Sequence, residues 1–580
     1  MEYRVDLCVV GGGLAGMCAA IAAARHGAKV VLMQERPVLG GNASSEIRMW
    51  VCGAQGKNVR ETGILEEINL ENLWRNPYKL YPVWDSILYE AVRFEPNITL
   101  LLNCSCCMAQ AEDGVIRSVT GWQMTTQEMI TVYANCFADC SGDSVLAPLV
   151  GAEFRVGRES ADEFGEVISE KEPDRKTMGM SCLIQARKTD RPVSFRAPAW
   201  ATRLTSDDLR FRRPDPESSY ENFWYLELGG NRDSIKDTET VRDELLALAF
   251  GIWDCFKNSG EFDSACWQLD FVGFLPGKRE SRRMMGAYLM TQHDVTYGGH
   301  FPDVVAYGGW PLDDHDPDGF FHHGHPCVQV QTPSPYGIPY RALYSRNIRN
   351  LFFAGRNISM THAAMSSSRV MATCALLGQA VGTAAAIAVH NGVSPSGISA
   401  DPVLLEQLQQ TLLYDDCMLP GKALTLPLLT QKASLSGDAC DPTPLLDGSD
   451  RCGLVSCPAG SALTFTLPHT ETVSEARIIF DSDLDRVTLP GNECERYHSM
   501  RANVLPDLPV MHLPLTLCRS FRLEYSVDGE RWSLLHEEKE NRRRRVVLPI
   551  NRVCRAVRLI PLSAWGEDRD TIGLFSFMIR

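Results

Sequence analysis

The sequence predicts an α/β chain. A Rossmann-like parallel-sheet domain starts it, an α+β insertion interrupts that domain, and an all-β sandwich follows. Three observations carry this reading. A strand–turn–helix–strand unit fills the first forty residues, and strand-then-glycine signals recur near residues 139 and 353. After Gly453, short alternating runs separated by turn residues dominate.

The first unit is read element by element. Leu7–Val10 is a continuous apolar run, as a buried parallel strand requires. Gly11, Gly13 and Gly16 form a G-x-G-x-x-G turn, and a helix from about Leu14 to His26 leads to a second strand, Lys29–Met33. In such a unit the first glycine makes the tight turn, the second admits a pyrophosphate, and the third lets helix and strand pack closely. The helix start at Leu14 and Ala15 offers free N–H groups to phosphate. Glu35 stands where a carboxylate accepts from a ribose 2′-OH. The pattern therefore points to dinucleotide binding.

A second signal runs from Ala134 to Gly151, with a strand ending at Asp139 and a turn at Ser141-Gly142-Asp143. A third is Asn350–Asn357, where Gly355 and Arg356 follow a strand. Val370–Val389 is uncharged and long enough to span a membrane. Its Gly378, Gly382, Thr373 and many alanines suit a helix buried against a sheet instead. Between these signals the chain is richer in Pro, Trp and charge, with strand-like runs at Phe223–Leu228 and Trp267–Phe274 and a helix at about Thr238–Asn258. Gly421–Pro444 reads as a linker, and Ala462–Leu467, Ala476–Phe480, Phe521–Val527, Arg545–Pro549 and Ala556–Ile560 read as separate strands. The domains expected are 1–151, 152–340, 341–425 and 435–580.

Composition narrows the function. A formal charge of −15 argues against nucleic acid or an anionic membrane as the main partner. The basic run Arg542–Arg545 follows Glu537–Glu540 and reads as a self-neutralising loop. No signal peptide precedes the first strand, and twenty cysteines without a framework fit reduced thiols in a cytoplasmic setting. The C-x-x-C at Cys104 and Cys107 has no second pair and reads as structural thiols. Asp314-x-Asp316-x-Asp318-Gly319 imitates the opening of a calcium loop. Pro317 and His325 break that pattern, and with His322 and His323 also weighed, no metal is expected.

Four motifs carry a family resemblance: Gly11–Glu35, Gly40-Gly-Asn-Ala-Ser-Ser45, Asp139-Cys-Ser-Gly-Asp143 and Leu351–Gly382. In these the chain resembles the FAD-dependent oxidoreductases related to the fumarate reductase and succinate dehydrogenase flavoprotein subunits. Arg279-Glu-Ser-Arg-Arg283, Gly308-Gly-Trp with Asp314-His315, and Ile338-Pro-Tyr-Arg341 are similar to a bacterial branch of that family. The resemblance implies FAD, held by Gly11, Gly13, Leu14, Ala15, Gly16, Glu35, Arg36, Gly40, Gly41, Asn42, Ser45, Asp139, Gly142, Asp143, Gly355, Arg356, Arg369 and Val370. The second glycine loop has no His of the kind that carries covalent flavin in fumarate reductase, so noncovalent FAD is expected. Phe521–Ser533 and Ala556–Pro561 resemble the discoidin-like, galactose-binding jelly roll, from which no ligand residue is carried over.

Hydride chemistry at a flavin needs a stabiliser for charge near N1 and a group that moves the substrate's proton. Arg369 and the helix start at Val370 suit the first task, and His362 and His315 suit the second. Arg282 and Tyr340 are candidates for binding a substrate anion or hydroxyl. A second nicotinamide-type fingerprint is missing, so electrons leave by a quinone, oxygen, a small carrier or a second substrate. The expected function is a soluble FAD-dependent dehydrogenase of a polar, carbohydrate-like alcohol. Two alternatives are an ene-reductase of fumarate type with Arg282 as proton donor, and a carbohydrate-binding protein with a vestigial flavin site. The expected partner is a small-molecule substrate such as a sugar, and homo-oligomer formation is left open.

Overall fold

The computed structural model describes residues 1–218, 221–486 and 499–580. They fall into two compact units. The first comprises Met1–Gly56, Tyr78–Leu408 and Val487–Val510, and the second Lys57–Pro77, Gln409–Arg486 and Met511–Arg580. The chain therefore crosses between units several times, unlike the consecutive domains read from the sequence.

The first unit is organised on a seven-stranded sheet. Its strands are β1 (Glu2–Val10), β2 (Val30–Met33), β3 (Ile98–Leu101), β4 (Cys104–Glu112), β5 (Val115–Gln123), β6 (Glu128–Asp139) and β7 (Leu351–Phe353). The order is β3-β2-β1-β6-β5-β4. One edge of β6 is shared: its first half pairs antiparallel with β5, and its last three residues pair parallel with β7. Register brings the carboxyl ends together, with Val10 opposite both Met33 and Asp139, and Phe353 also opposite Asp139. In open α/β sheets, ligands bind beyond such strand ends.

Two helices cover the sheet, α1 (Leu14–Arg25) and, after the short α2 (His362–Ser368), the long α3 (Met371–Asn391). The core of α3 has mean hydropathy 1.7, and 94% of that window is buried. Small residues let it approach α1 backbone to backbone. A Cβ on Gly378 would lie 1.9 Å from the Ala15 carbonyl oxygen, and one on Gly382 2.1 Å from that of Ala19.

The insertion holds short antiparallel pairs around a core under the helix Thr238–Asn258, which contributes Val241, Leu245, Ile252 and Trp253. Trp267–Val272 pairs with Ile184–Lys188 as a strand. Phe223–Leu228 does not form the strand expected of it. Only Glu227–Leu228 pair, and Phe223 takes a positive φ of 60°. Asn503, far along the chain, locks this region. Its side chain accepts from the Ala186 N–H and donates to the carbonyls of Pro216 and Ser218.

The second unit is a β-sandwich. Two long strands, Leu463–Phe480 and Arg545–Ala564, pair with each other on both sides of register shifts at Thr466/Glu471 and Val473/Glu475. Residues 463–466 and 556–564 build one layer with Cys518–Ser526 and Ser533–Glu538, and residues 476–480 and 545–549 build another with Thr571–Ile579. Phe465 meets Phe577 at 5.0 Å, and Phe480 meets Phe521 at 5.3 Å, across the core. The four strands expected at 462–467, 476–480, 545–549 and 556–560 are thus two. The expected linker is also structured: Leu428–Lys432 is a helix, and Ser434–Gly437 pairs with Leu463–Thr466. Leu70 and Leu73, from the helix Ile64–Arg75, complete the core of this unit.

Candidate active site

A cavity of about 430 Å³ opens beyond the carboxyl ends of β1, β2, β6 and β7. That is within the range of small-molecule sites. Its nucleotide side is built from the glycine turn. Gly11 has φ +104°, and a Cβ there would lie 2.5 Å from the carbonyl carbon of Cys140, so only glycine fits. Gly16 lies beneath this turn, where a Cβ would meet the Gly11 carbonyl oxygen at 1.8 Å. Gly13 faces the cavity, with nothing nearer than Gly41 at 3.9 Å to a Cβ. Gln34 ties the turn to the next loop, accepting from the Gly12 N–H at 2.7 Å and donating to the Val38 carbonyl.

The cavity brings together Gly11, Gly13, Leu14, Ala15, Glu35, Arg36, Gly40, Gly41, Asn42, Gly142, Gly355, Arg356, Arg369 and Val370. Four other residues expected to hold the cofactor stand behind the lining. Gly16 supports the turn. Ser45 gives its N–H to Asp85. Asp139 is fully buried and accepts from Ser141 N–H and hydroxyl and from Leu146 N–H, so it braces the loop. Asp143 takes Lys278 at 2.7 Å and Arg356 at 2.9 Å, and so positions two cations that do line the cavity.

The lining fits a bound dinucleotide in three respects. Neither α1 nor α3 has a side chain capping its N-terminus, and Leu14, Ala15, Val370 and Met371 face the cavity there. Uncapped helix N-termini attract anionic groups. Among the described residues, the buried Nε atoms of Arg36, Arg356 and Arg369 have no hydrogen-bond partner. Such orphaned donors call for a partner. The Glu35 carboxylate, 60% exposed, stands at the end of β2.

The insertion supplies the remaining lining. Leu312–His315 pairs antiparallel with Cys327–Val330, setting His315 opposite Cys327 and Asp313 opposite Gln329. His315 is buried between carboxylates, Nδ1 2.7 Å from Glu227 and Nε2 3.2 Å from Asp313, with Trp224 edge-on at 5.4 Å. Burial alone would lower its pKa, but Glu227 and Asp313 outweigh it and raise the imidazole above its usual value. Arg369 donates to the carbonyl and carboxylate of Asp313, both at 3.1 Å. Arg279 donates to Ser181 and the Trp224 carbonyl and pairs with Glu227 at 3.2 Å.

The other candidates lie outside the lining. His362 is buried, its ring nitrogens 2.9 Å from Glu280 and 2.9 Å from Asp314. Burial opposes its charge, yet the two carboxylates hold its pKa up at about 10. It is therefore an imidazolium in a structural ion network with Arg283 and Glu159, and not a neutral base. Tyr340 is fully buried and donates to the Pro395 carbonyl. Arg282 lies over Phe154 and donates to the Asp143 carbonyl. Of the acidic run, Asp314 is taken by His362, while Asp316 accepts from Asp318 N–H and meets His322 at 3.1 Å.

Sequence reasoning missed Lys278, Trp224, Asp313 and Gln329 in the lining. Asp313 and Lys278 adjoin quoted motifs, so their neighbourhood was a usable signal. Trp224 and Gln329 had none, since only the tertiary fold brings them in.

No curated protein matches the chain in sequence. Among solved structures, a variant of the E. coli quinol fumarate reductase subunit FrdA matches at 13% identity, over 71% of this chain and 75% of that one, with TM-score 0.29. A family 32 carbohydrate-binding module from Streptococcus pneumoniae EndoD matches at 13% identity, over 26% of this chain and 97% of that one, with TM-score 0.20. A chitosan-binding module from a Paenibacillus chitosanase/glucanase matches at 10% identity, over 26% and 97%, with TM-score 0.19. These likenesses say nothing of what the present chain binds. The family model described as FAD dependent oxidoreductase matches residues 6–412, the stretch that contains the glycine turn, both cavity-facing helices and the insertion. The chain belongs to the FAD dependent oxidoreductase family.

Proposed function

We propose that the protein dehydrogenates a polar, carbohydrate-like alcohol and holds its FAD noncovalently. When bound, FAD supplies a hydride acceptor at N5. The observation that carries this reading is the lining given by the insertion, where Asp313, His315, Gln329, Gln331 and Arg279 present polar groups beside Trp224 and Trp310. Hydrogen-bonding groups alternating with flat indoles suit a polyhydroxylated substrate. Of the four candidate catalytic residues His315 is the one in this lining, which supports assigning the substrate hydroxyl to the His315–Asp313 pair. Noncovalent attachment is supported by thiols that line the cavity. Burial pushes Cys104 up to about 11, Cys106 and Cys374 up to about 12, and raises Cys140 as well, so none of these four is a ready nucleophile. The dehydrogenase reading is preferred to the reductase alternative because Arg282, the proton donor named for the latter, packs over Phe154 and donates to the Asp143 carbonyl. The net charge of −15 supports a small-molecule electron acceptor over nucleic acid or membrane as partner, and the thiol cysteines of the described residues support a cytoplasmic setting.

Anaerobic mixing with a library of sugars and sugar alcohols tests the reading. Bleaching of the flavin by one of them is expected, and His315→Ala should slow it by about a hundredfold with FAD content intact. Inertness toward every alcohol, with reoxidation of reduced flavin by an alkene, would overturn it.

A further inference from the structure

We propose that Asp313, His315 and Cys327 form a zinc-type metal site at the wall of the cavity, with a fourth position open to the substrate. The argument begins with the strand pair. His315 and Cys327 are direct cross-strand partners, and Asp313 lies two residues before His315, on the same face of its strand. A carboxylate oxygen, an imidazole nitrogen and a thiol sulfur thereby converge to within 4.8 Å of one another. Ligand atoms around tetrahedral zinc stand roughly 3.3–3.8 Å apart, given Zn–N, Zn–O and Zn–S bonds of about 2.0–2.3 Å. A contraction of about 1 Å would close the site.

Glu227 makes the arrangement more specific. It holds Nδ1 of His315 at 2.7 Å, which leaves Nε2 as the atom directed at Asp313. A carboxylate on the far nitrogen of a metal-binding histidine fixes the tautomer and orients the ring. The thiol selects a borderline-soft ion of the zinc class over magnesium or calcium. Three protein ligands with one open position is the pattern of catalytic zinc, whose open site accepts an oxygen ligand. Asp313 and His315 line the cavity and Cys327 stands behind that lining, so the open position is assigned to the cavity side of the cluster.

Two cations stand close by, Arg369 at 3.1 Å from Asp313 and Arg279 at 3.2 Å from Glu227. Zinc binding turns the Cys327 thiol into a thiolate, which with the Asp313 carboxylate offsets the charge of the ion that the arginines face.

The inference rests on the proposed function only for the identity of the oxygen at the open position. Zinc binding is measured without substrate, so failure of either is seen separately. FAD-loaded protein is stripped with a chelator and titrated with Zn²⁺ alone by calorimetry in two buffers of different ionisation enthalpy. One Zn²⁺ per chain is expected, with release of at least the Cys327 thiol proton at pH 7. Cys327→Ser and His315→Ala should each weaken binding by at least about tenfold, while His323→Ala does not. Zinc-edge absorption of the wild-type protein should show one sulfur at about 2.3 Å. Binding that is substoichiometric in the wild-type protein, unchanged in Cys327→Ser, or without a sulfur shell would overturn the site.

Discussion

Gly378→Ala tests how the two long helices hold the nucleotide cradle. The added Cβ would lie 1.9 Å from the Ala15 carbonyl oxygen, where ordinary contact needs about 3.4 Å, so α1 must retreat by roughly 1.5 Å. Overpacking of this kind costs about 1–3 kcal/mol, and so hard a clash belongs in the upper half of that range. Alanine returns about 1 kcal/mol of helix propensity, which leaves a net loss of about 1–2 kcal/mol. Ala15 is also part of the cavity lining, so the retreat carries helix N–H groups away from the phosphates. We expect FAD to bind about tenfold more weakly, the equivalent of about 1.4 kcal/mol. Gly382→Ala is the control. Its clash with Ala19, at 2.1 Å, is similar but lies one turn farther from the cavity. It should lower the melting temperature to a like degree with FAD affinity changed less than about threefold. Thermal melts with fluorescence titration of FAD into apoprotein read both quantities. Wild-type melting in Gly378→Ala would refute the helix contact. Equal loss of FAD affinity in the two variants would refute transmission through the first turn of α1.

Gly13→Asp sets a carboxylate beside the uncapped start of α1, and the ratio of flavin to protein absorbance should fall to about a tenth or less; unchanged flavin content would remove the dinucleotide assignment. His362 has a folded pKa of about 10 against about 6.5 unfolded, so its ion pairs stabilise fully below pH 6.5 and progressively less as pH climbs toward 10. The melting temperature of wild type should therefore exceed that of His362→Gln most at pH 6 and least at pH 10, and a pH-independent gap would contradict the charged pairing. Truncation after residue 425 strips Leu70 and Leu73 of their sandwich core and removes Asn503 from its three backbone partners. Size-exclusion chromatography should show this fragment aggregated, whereas a monodisperse, FAD-loaded fragment would show that neither contact matters.

The glycine turn was legible because each constraint on it is local: a strand, a turn and a helix within thirty residues, with Glu35 at the next strand end. The small-residue helix was legible for the same reason. Asp139, Asp143 and Ser45 illustrate where residue type stops informing. Their polar groups suit a ligand, but the fold uses them to brace a loop, to aim Lys278 and Arg356, and to engage Asp85. His362 looked like a base from its place after a glycine turn, but Glu280 and Asp314, far away in sequence, decide its charge. The long sandwich strands read as four because Pro468 and Pro549 interrupt the alternation at 467–470 and near 549. Register shifts absorb the irregularity at Thr466/Glu471 and Val473/Glu475 and let both strands continue.

The shared edge of β6 has a consequence for synthesis. The cradle needs β1 and β6, more than a hundred residues apart, and then β7 and α3, which follow after another two hundred. Helix α1 is buried on nearly every side, and α3 supplies part of that cover. At translation rates of about 5–20 residues per second, α1 waits roughly 20–70 s for its partner to leave the ribosome. During that interval the nascent chain displays an alanine-rich apolar surface and half a nucleotide site. Loading of the flavin is therefore a late event, which must wait for β7 and α3 to complete the cradle.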